Sequence, residues 1–234
     1  MINIEGDDMN DNLNSKTVLV TGANRGIGLE LCKIYLNKGN EVFAVCRQTS
    51  QSLSSSGAKV IDNVDVSTTQ GIAALKMQIA DNQIDLLINN AGILRSQSFD
   101  NLNYEQIREQ FEVNTLGPIR VVEALFDNLI SGSKVAMITS RMGSIDDNSS
   151  GGSYGYRMSK CALNAAGKSM AIDFKEKGIA VALLHPGYVQ TEMVNFGGDI
   201  SAEVSAERLA QRIDELNLEN SGSFWHSNGE LLPW

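Results

Sequence analysis

Thr17-Val18-Leu19-Val20-Thr21-Gly22-Ala23-Asn24-Arg25-Gly26-Ile27-Gly28 is the stretch that decides the fold. Residues 17–21 are apolar and β-branched and read as a buried strand, after which Ile27, Leu31, Ile34 and Tyr35 fall at helical spacing. Strand and helix are joined directly by a glycine turn. Gly22 permits a sharp exit from the strand, and Gly26 and Gly28 let backbone and helix approach an anion closely. The start of the helix adds free N–H groups and the positive end of its dipole, so the turn with Asn24, Arg25 and Ile27 is a cradle for a pyrophosphate.

Outward from this unit, short apolar runs recur at 42–46, 59–61, 86–88, 135–138 and 179–184. None alternates strictly, as strands covered on both faces need not. Helical spacing lies between them: Ile72, Leu75, Met77 and Ile79, then the longer segments 111–130 and 162–174. Strands alternating with helices predict a parallel sheet with right-handed crossovers: a Rossmann-like, doubly wound α/β domain over residues 16–234. The serine-rich stretches 50–56 and 144–153 read as loops within it. Residues 1–15, with Glu5, Asp7, Asp8 and Asp11, read as a flexible acidic tail.

The 234-residue chain is 42% hydrophobic and 20% charged, ordinary globular usage that argues against disorder. Nineteen Lys and Arg against 28 Asp and Glu give a net charge of −9, which repels phosphate backbones and anionic lipid. No nucleic acid and no membrane is expected as a partner. Cys32, Cys46 and Cys161 form no close sequence pair, and the amino terminus has neither a basic nor an apolar leader segment, so the expected location is cytoplasmic. His185 and His226 stand far apart with no metal-ligand spacing around them; His185 reads as structural and no metal is expected.

The second strand ends in Val45-Cys46-Arg47. A carboxylate there would accept from an adenosine ribose and repel a 2′-phosphate; Arg47 instead attracts one, and Arg25 can reach the same group. NADP(H) is therefore the expected cofactor, with NAD(H) second. Tyr156 and Lys160 are spaced i, i+4, one face of a helix. A tyrosine titrates near 10 when unperturbed, and a neighbouring ammonium favours its phenolate and brings it toward the working range.

The glycine turn is spaced G-x-x-x-G-x-G, and Asn89-Asn90-Ala91-Gly92 and Tyr156-Arg157-Met158-Ser159-Lys160 follow it downstream. In these motifs the chain, from Lys16 onward, resembles the short-chain dehydrogenase/reductase family. Within that family the Asn-Arg-Gly-Ile-Gly turn, the Gly152-Ser-Tyr-Gly-Tyr156 approach and the closing Gly229-Glu-Leu-Leu-Pro-Trp234 are similar to C-factor and sniffer-type carbonyl reductases. The resemblance implies a catalytic set of Asn114, Ser140, Tyr156 and Lys160. Tyr156 would exchange the proton, Lys160 tune it and bind the nicotinamide ribose, Ser140 hold the substrate oxygen, and Asn114 hold a water leading to the lysine. It also implies cofactor contacts from Asp65 and Val66 to adenine, from Asn90, Ala91 and Gly92 to the adenosine ribose, and from the Pro186-Gly187 segment, where Val189 and Thr191 would hold the carboxamide.

The implied activity is NADP(H)-dependent interconversion of a small-molecule carbonyl compound and its alcohol. The alternative is a dinucleotide-binding signalling protein of the C-factor kind with incidental turnover. The substrate would lie among 93–98, 141–150 and 194–204, where Arg95 and Arg141 are the charges that stand out. Segments 116–130 and 156–175 are apolar on more than one face, which predicts a homodimer or homotetramer.

Overall fold

The computed structural model describes residues 15–234; the acidic tail lies almost wholly outside them. Seven strands form one parallel sheet in the order β3-β2-β1-β4-β5-β6-β7: β1 (Thr17–Thr21), β2 (Glu41–Val45), β3 (Lys59–Ile61), β4 (Ile84–Asn89), β5 (Leu129–Ile138), β6 (Ala180–His185) and β7 (Phe224–His226). The order reverses between β1 and β4, and the crevice outside the carboxyl ends of those two strands is where an open α/β sheet places its ligand.

The weak alternation along the strands has its cause in two cores. Val18, Val20, Ala136 and Ile138 face one layer, where α1 (Gly26–Asn37) and α7 (Ala202–Glu215) pack through Leu31, Tyr35, Leu209 and Ile213. Leu19, Leu87, Val135 and Met137 face the other, covered by α3 (Thr69–Ile79), α5 (Gly117–Ala124) and α6 (Tyr154–Asp173) through Leu75, Val121 and Leu163. A strand apolar on both faces cannot show a period of two. The short α2 (Gln51–Ser54), capped by Ser50, and α4 (Tyr104–Phe111), capped by Asn103, complete the helices.

Two expectations need correction. The single helix over 111–130 is three pieces: α4 ends at Phe111, residues Glu112–Leu116 form an over-wide turn in which Gly117 N donates to Glu112 O, and α5 stops at Ala124. The apolar residues that continue the pattern, Leu129 and Ile130, already belong to β5, which begins six residues before the expected strand. Beyond 184 no element was expected, yet Ser201 accepts from Val204 N to start α7, and β7 adds an edge strand of three residues. Three residues are too short to display any period.

Candidate active site

The carboxyl ends of β1, β2, β4 and β5 open into one cleft of about 620 Å³. Its floor is the glycine turn. Gly22 has φ of +66°, and a Cβ there would stand 2.8 Å from Ala91 Cα; a Cβ on Gly28 would collide with Gly22 O. Glycine at both positions is thus a packing requirement, and it holds the start of α1 against the crevice. No side chain caps that helix start, because Arg25 at the cap position makes no such bond. Its first N–H groups are free to receive an anion, which is the fit a pyrophosphate requires.

Asn90 keeps this end of the sheet shut. Its amide Nδ2 donates to Thr21 O at 3.0 Å and Gly22 O at 3.2 Å, while Asn90 N and Ala91 N both donate to Thr21 Oγ1. These bonds tie the end of β4 to the end of β1, and leave Ala91 and Gly92 as cleft wall. At the far end Arg47 is exposed and has no ion-pair partner among the described residues. Asp65 stands near it. Burial raises the Asp65 pKa, but the hydroxyl and amide of Ser67, at 2.6 and 2.9 Å, together with Arg47 bring it below the usual value.

Arg25 also lines the cleft, but its guanidinium is paired with Glu192 of the segment that follows β6. That segment lies close over the glycine turn: a Cβ on Gly26 would come within 3.4 Å of Thr191 Cγ2. Pro186 and Thr191 line the cleft with it, and Met193 and Phe196 add apolar surface near Ile93. Gly187 and Val189 stand behind this wall, Val189 buried and bridged to Ile200.

Tyr156, Lys160 and the wall residues Ile138 and Thr139 meet at the inner end. Tyr156 and Lys160 lie one turn apart on α6, with Lys160 Nζ 5.9 Å from the tyrosine ring centre. Lys160 donates to Ile138 O at 2.9 Å, and burial pushes its pKa down to about 8. Burial also raises the Tyr156 pKa, and a hydrogen bond with the Ser140 side chain opposes that rise. Ser140, buried at the end of β5, accepts from Met142 N at 3.2 Å.

Asn114 sits in the over-wide turn, fully buried, with every side-chain atom in use. Oδ1 accepts from Ile93 N, and Nδ2 donates to Ile93 O and to Ser159 Oγ, all within 2.8–3.1 Å. Ser159 Oγ in turn donates to Tyr156 O at 2.8 Å. The side chain therefore clamps the loop after β4 to the turn of α6 that carries the tyrosine and lysine. Insertions of this kind in a helix re-aim the residues they contain.

Glu192 and Met193 were missed by the sequence reading, since neither belongs to a motif and each reaches the site through a long-range contact; Ser159 stood within the Tyr156–Lys160 motif without an assigned role, and Phe196 within the 194–204 stretch expected to line the substrate. Substrate-side arginines carry little free charge: Arg95 pairs with Glu109, and Arg141 with Asp147 and Glu230. His185 and His226, remote in sequence, are register partners on β6 and β7 with ring centres 4.8 Å apart, edge to face. Among the described residues no three His, Cys, Asp or Glu side chains are arranged to hold a metal, and no helix is long and apolar enough to cross a membrane.

Known proteins resemble this chain in sequence and in fold. The chain is 39% identical over 224 residues to the 1-hydroxy-2-glutathionyl-2-methyl-3-butene dehydrogenase of Rhodococcus sp. (strain AD45), covering 93% of this chain and 99% of that one. It is 40% identical over 164 residues to C-signal of Myxococcus xanthus, covering 69% of this chain and 99% of that one. Its fold matches the NADPH-bound carbonyl reductase from chicken fatty liver with a TM-score of 0.84 at 29% identity, over 95% of this chain and all of the other. The short chain dehydrogenase model matches residues 16–199, from the strand before the glycine turn to the segment that closes over it, and the chain belongs to the short-chain dehydrogenase family of oxidoreductases.

Proposed function

We propose that the protein is an NADP(H)-dependent oxidoreductase that interconverts a small-molecule carbonyl compound and its alcohol. The observation that carries this reading is one cleft that joins an uncapped helix start and an unpaired Arg47 at one end to Tyr156 and Lys160 at the other. The NADPH-bound state of the chicken carbonyl reductase supports the choice of cofactor.

The start of α1 and the glycine turn would hold the pyrophosphate, Arg47 the 2′-phosphate, Asp65 and Val66 the adenine side, and Thr191 the carboxamide end. Bound there, the nicotinamide supplies the hydride. Ser140 donates a hydrogen bond to the carbonyl oxygen and so stabilises the charge that grows on it. Tyr156 gives that oxygen a proton and is left as phenolate, which the ammonium of Lys160 then favours electrostatically. Asn114 keeps the α6 turn seated through Ser159. Ile93, Met193 and Phe196 offer a substrate an apolar face. The three unpaired cysteines fit a cytoplasmic location.

The test is NADPH consumption over a panel of aldehydes, ketones and quinones. Turnover with NADPH well above NADH, abolished by Tyr156→Phe, is the expected outcome. Dinucleotide binding without turnover on any carbonyl would replace this reading with the signalling role suggested by the likeness to C-signal.

A further inference from the structure

Behind the lysine lies a polar cluster with no place in the mechanism above. Thr139 Oγ1 donates to Asn164 Oδ1 at 2.6 Å and stands 3.4 Å from Lys160 O. Thr139 is 2% exposed and Asn164 is 2% exposed, on α6 one turn beyond Lys160. The other half of the Asn164 amide, Nδ2, is buried without a partner. An asparagine in this place is a poor choice for folding, since a buried donor left unpaired is worse than an apolar side chain of the same size. A residue that a domain retains against its own stability calls for a reason outside stability.

The place of the contact supplies one. Thr139 lies between Ile138, whose carbonyl receives Lys160 Nζ, and Ser140, the substrate-oxygen donor. Its own N–H donates to Leu184 O at 2.8 Å, so its backbone is fixed by the sheet. Along β5, Met137 and Thr139 point to the same face. Met137 packs there with Leu163 of α6, and Asn89, the register partner of Met137, donates to its sulfur at 3.5 Å. The contact thus joins the strand that carries Ser140 to the helix that carries Tyr156 and Lys160, at the level of the lysine. Asn114 and the bond from Lys160 to Ile138 O hold the helix at Ser159 and Lys160, but beyond them apolar contacts alone would leave α6 free to turn slightly on this face, since they have no preferred direction. A short hydrogen bond between two fully buried side chains does not.

We propose that Asn164 is a positioning residue for the reaction: through Thr139 it fixes the axial register of α6 on β5, and with it the distances among Ser140, Tyr156 and Lys160. This rests on the reading of those three as the reacting groups. Asn164 does not line the cleft, and Thr139, a wall residue, acts in this role through its bond to Asn164 and not through a contact with substrate or cofactor.

The test uses Thr139→Val, close in volume to the parent, and Asn164→Leu, which has the same branching and side-chain heavy-atom count but is larger, with Thr139→Ser as the conservative control. With NADPH and the best carbonyl of the panel, kcat is expected to fall about tenfold or more, with the KM for NADPH held, because misplacement of reacting groups acts on rate and not on cofactor binding. Urea midpoints are expected to stay level or rise for Asn164→Leu, and Thr139→Ser to keep the parent rate. A second readout needs no turnover. In protein labelled with 13C-lysine, the Lys160 resonance, assigned by its loss in Lys160→Met, is expected to titrate near 8 in the parent. It is expected to move upward in Asn164→Leu and Thr139→Val as water reaches the loosened lysine. An unmoved titration, or kcat that falls only in proportion to lost stability, overturns the proposal. A parent chain that turns over no carbonyl refutes the functional reading instead, and leaves the lysine titration to decide the positioning.

Discussion

Arg25 of the glycine turn and Glu192 of the segment after β6 form an ion pair across the mouth of the cleft, with side chains 62% and 54% exposed. The two cations expected to meet a 2′-phosphate are therefore not equivalent. Arg25 already has a carboxylate partner, while Arg47 has none among the described residues. An exposed pair of this kind is worth little, about 0.2–1 kcal/mol, so a phosphate can draw Arg25 away from Glu192.

Cofactor preference should depend mainly on Arg47. A hydrogen bond to a charged group contributes roughly 1.5–3 kcal/mol, so Arg47→Ala should weaken NADPH binding about tenfold or more and leave NADH nearly unchanged. Glu192→Gln frees Arg25 and should tighten NADPH slightly, by no more than about fivefold. Fluorescence titration with each dinucleotide measures both effects. Equal weakening for NADH and NADPH in Arg47→Ala would mean that this arginine serves the fold or the adenine, not the 2′-phosphate.

Turnover should depend on Tyr156 in a way that folding does not. Tyr156→Phe keeps the ring, which is buried, and removes only the hydroxyl. Its urea midpoint and NADPH affinity should match the parent while kcat drops by about 10² or more. Ser140→Ala should also lose turnover with NADPH bound normally. Lys160→Ala should lose both, since it removes the bond to Ile138 O as well as the charge beside the phenol. A phenylalanine variant that works at the parent rate would transfer the proton to some other acid.

The sheet and the glycine turn were legible because each residue there obeys a local rule: an apolar strand, glycine where a Cβ collides, a helix start without a cap. Tyr156 and Lys160 were legible for the same reason, being one helical turn apart. Asn114 was found by motif, but its role as a clamp was hidden, since it depends on Ile93 and Ser159, which are near it only in the fold. The helix breaks at Glu112–Leu116 were hidden too: a widened turn shifts the register by one residue, and the apolar positions on both sides still look continuous. Glu192, and the partnership of His185 with His226, depend on β6, β7 and their loops coming together. No local spacing records that.

Self-association is predicted through the outer faces of α5 and α6. Met158 and Ile172 on α6 are 43% and 66% exposed, and Leu116 beside α5 is 37% exposed. These are large apolar side chains on helices whose inner faces are already packed on the sheet. Light scattering at micromolar concentration should give at least twice 25.4 kDa. A mass of one chain would show that the exposed apolar residues are too scattered to pair, and Ile172→Lys should then change nothing.

Stability should fall with acid in a window set by His185. Burial, together with His226 and Arg141, pushes its pKa down to about 3, against 6.5 for the free side chain. His226 is shifted in the same direction, led by its own burial and then Arg141, with Glu230 opposing. Between those two values the unfolded chain binds a proton that the folded chain refuses, so stability rises with pH across the window and is complete above 6.5. At pH 5 the loss from His185 alone is about 2 kcal/mol, a large part of the stability of an ordinary domain. Asp65, whose pKa lies below its usual 3.8, titrates too low to contribute there. Urea unfolding at pH 7.5, 6.5, 5.5 and 5.0 should therefore show a falling midpoint in the parent and a much flatter one in His185→Asn, whatever that substitution does to stability at pH 7.5. A slope that survives in the variant would assign the acid sensitivity to His226 or to carboxylates, and the His185→Asn, His226→Asn double variant separates the two.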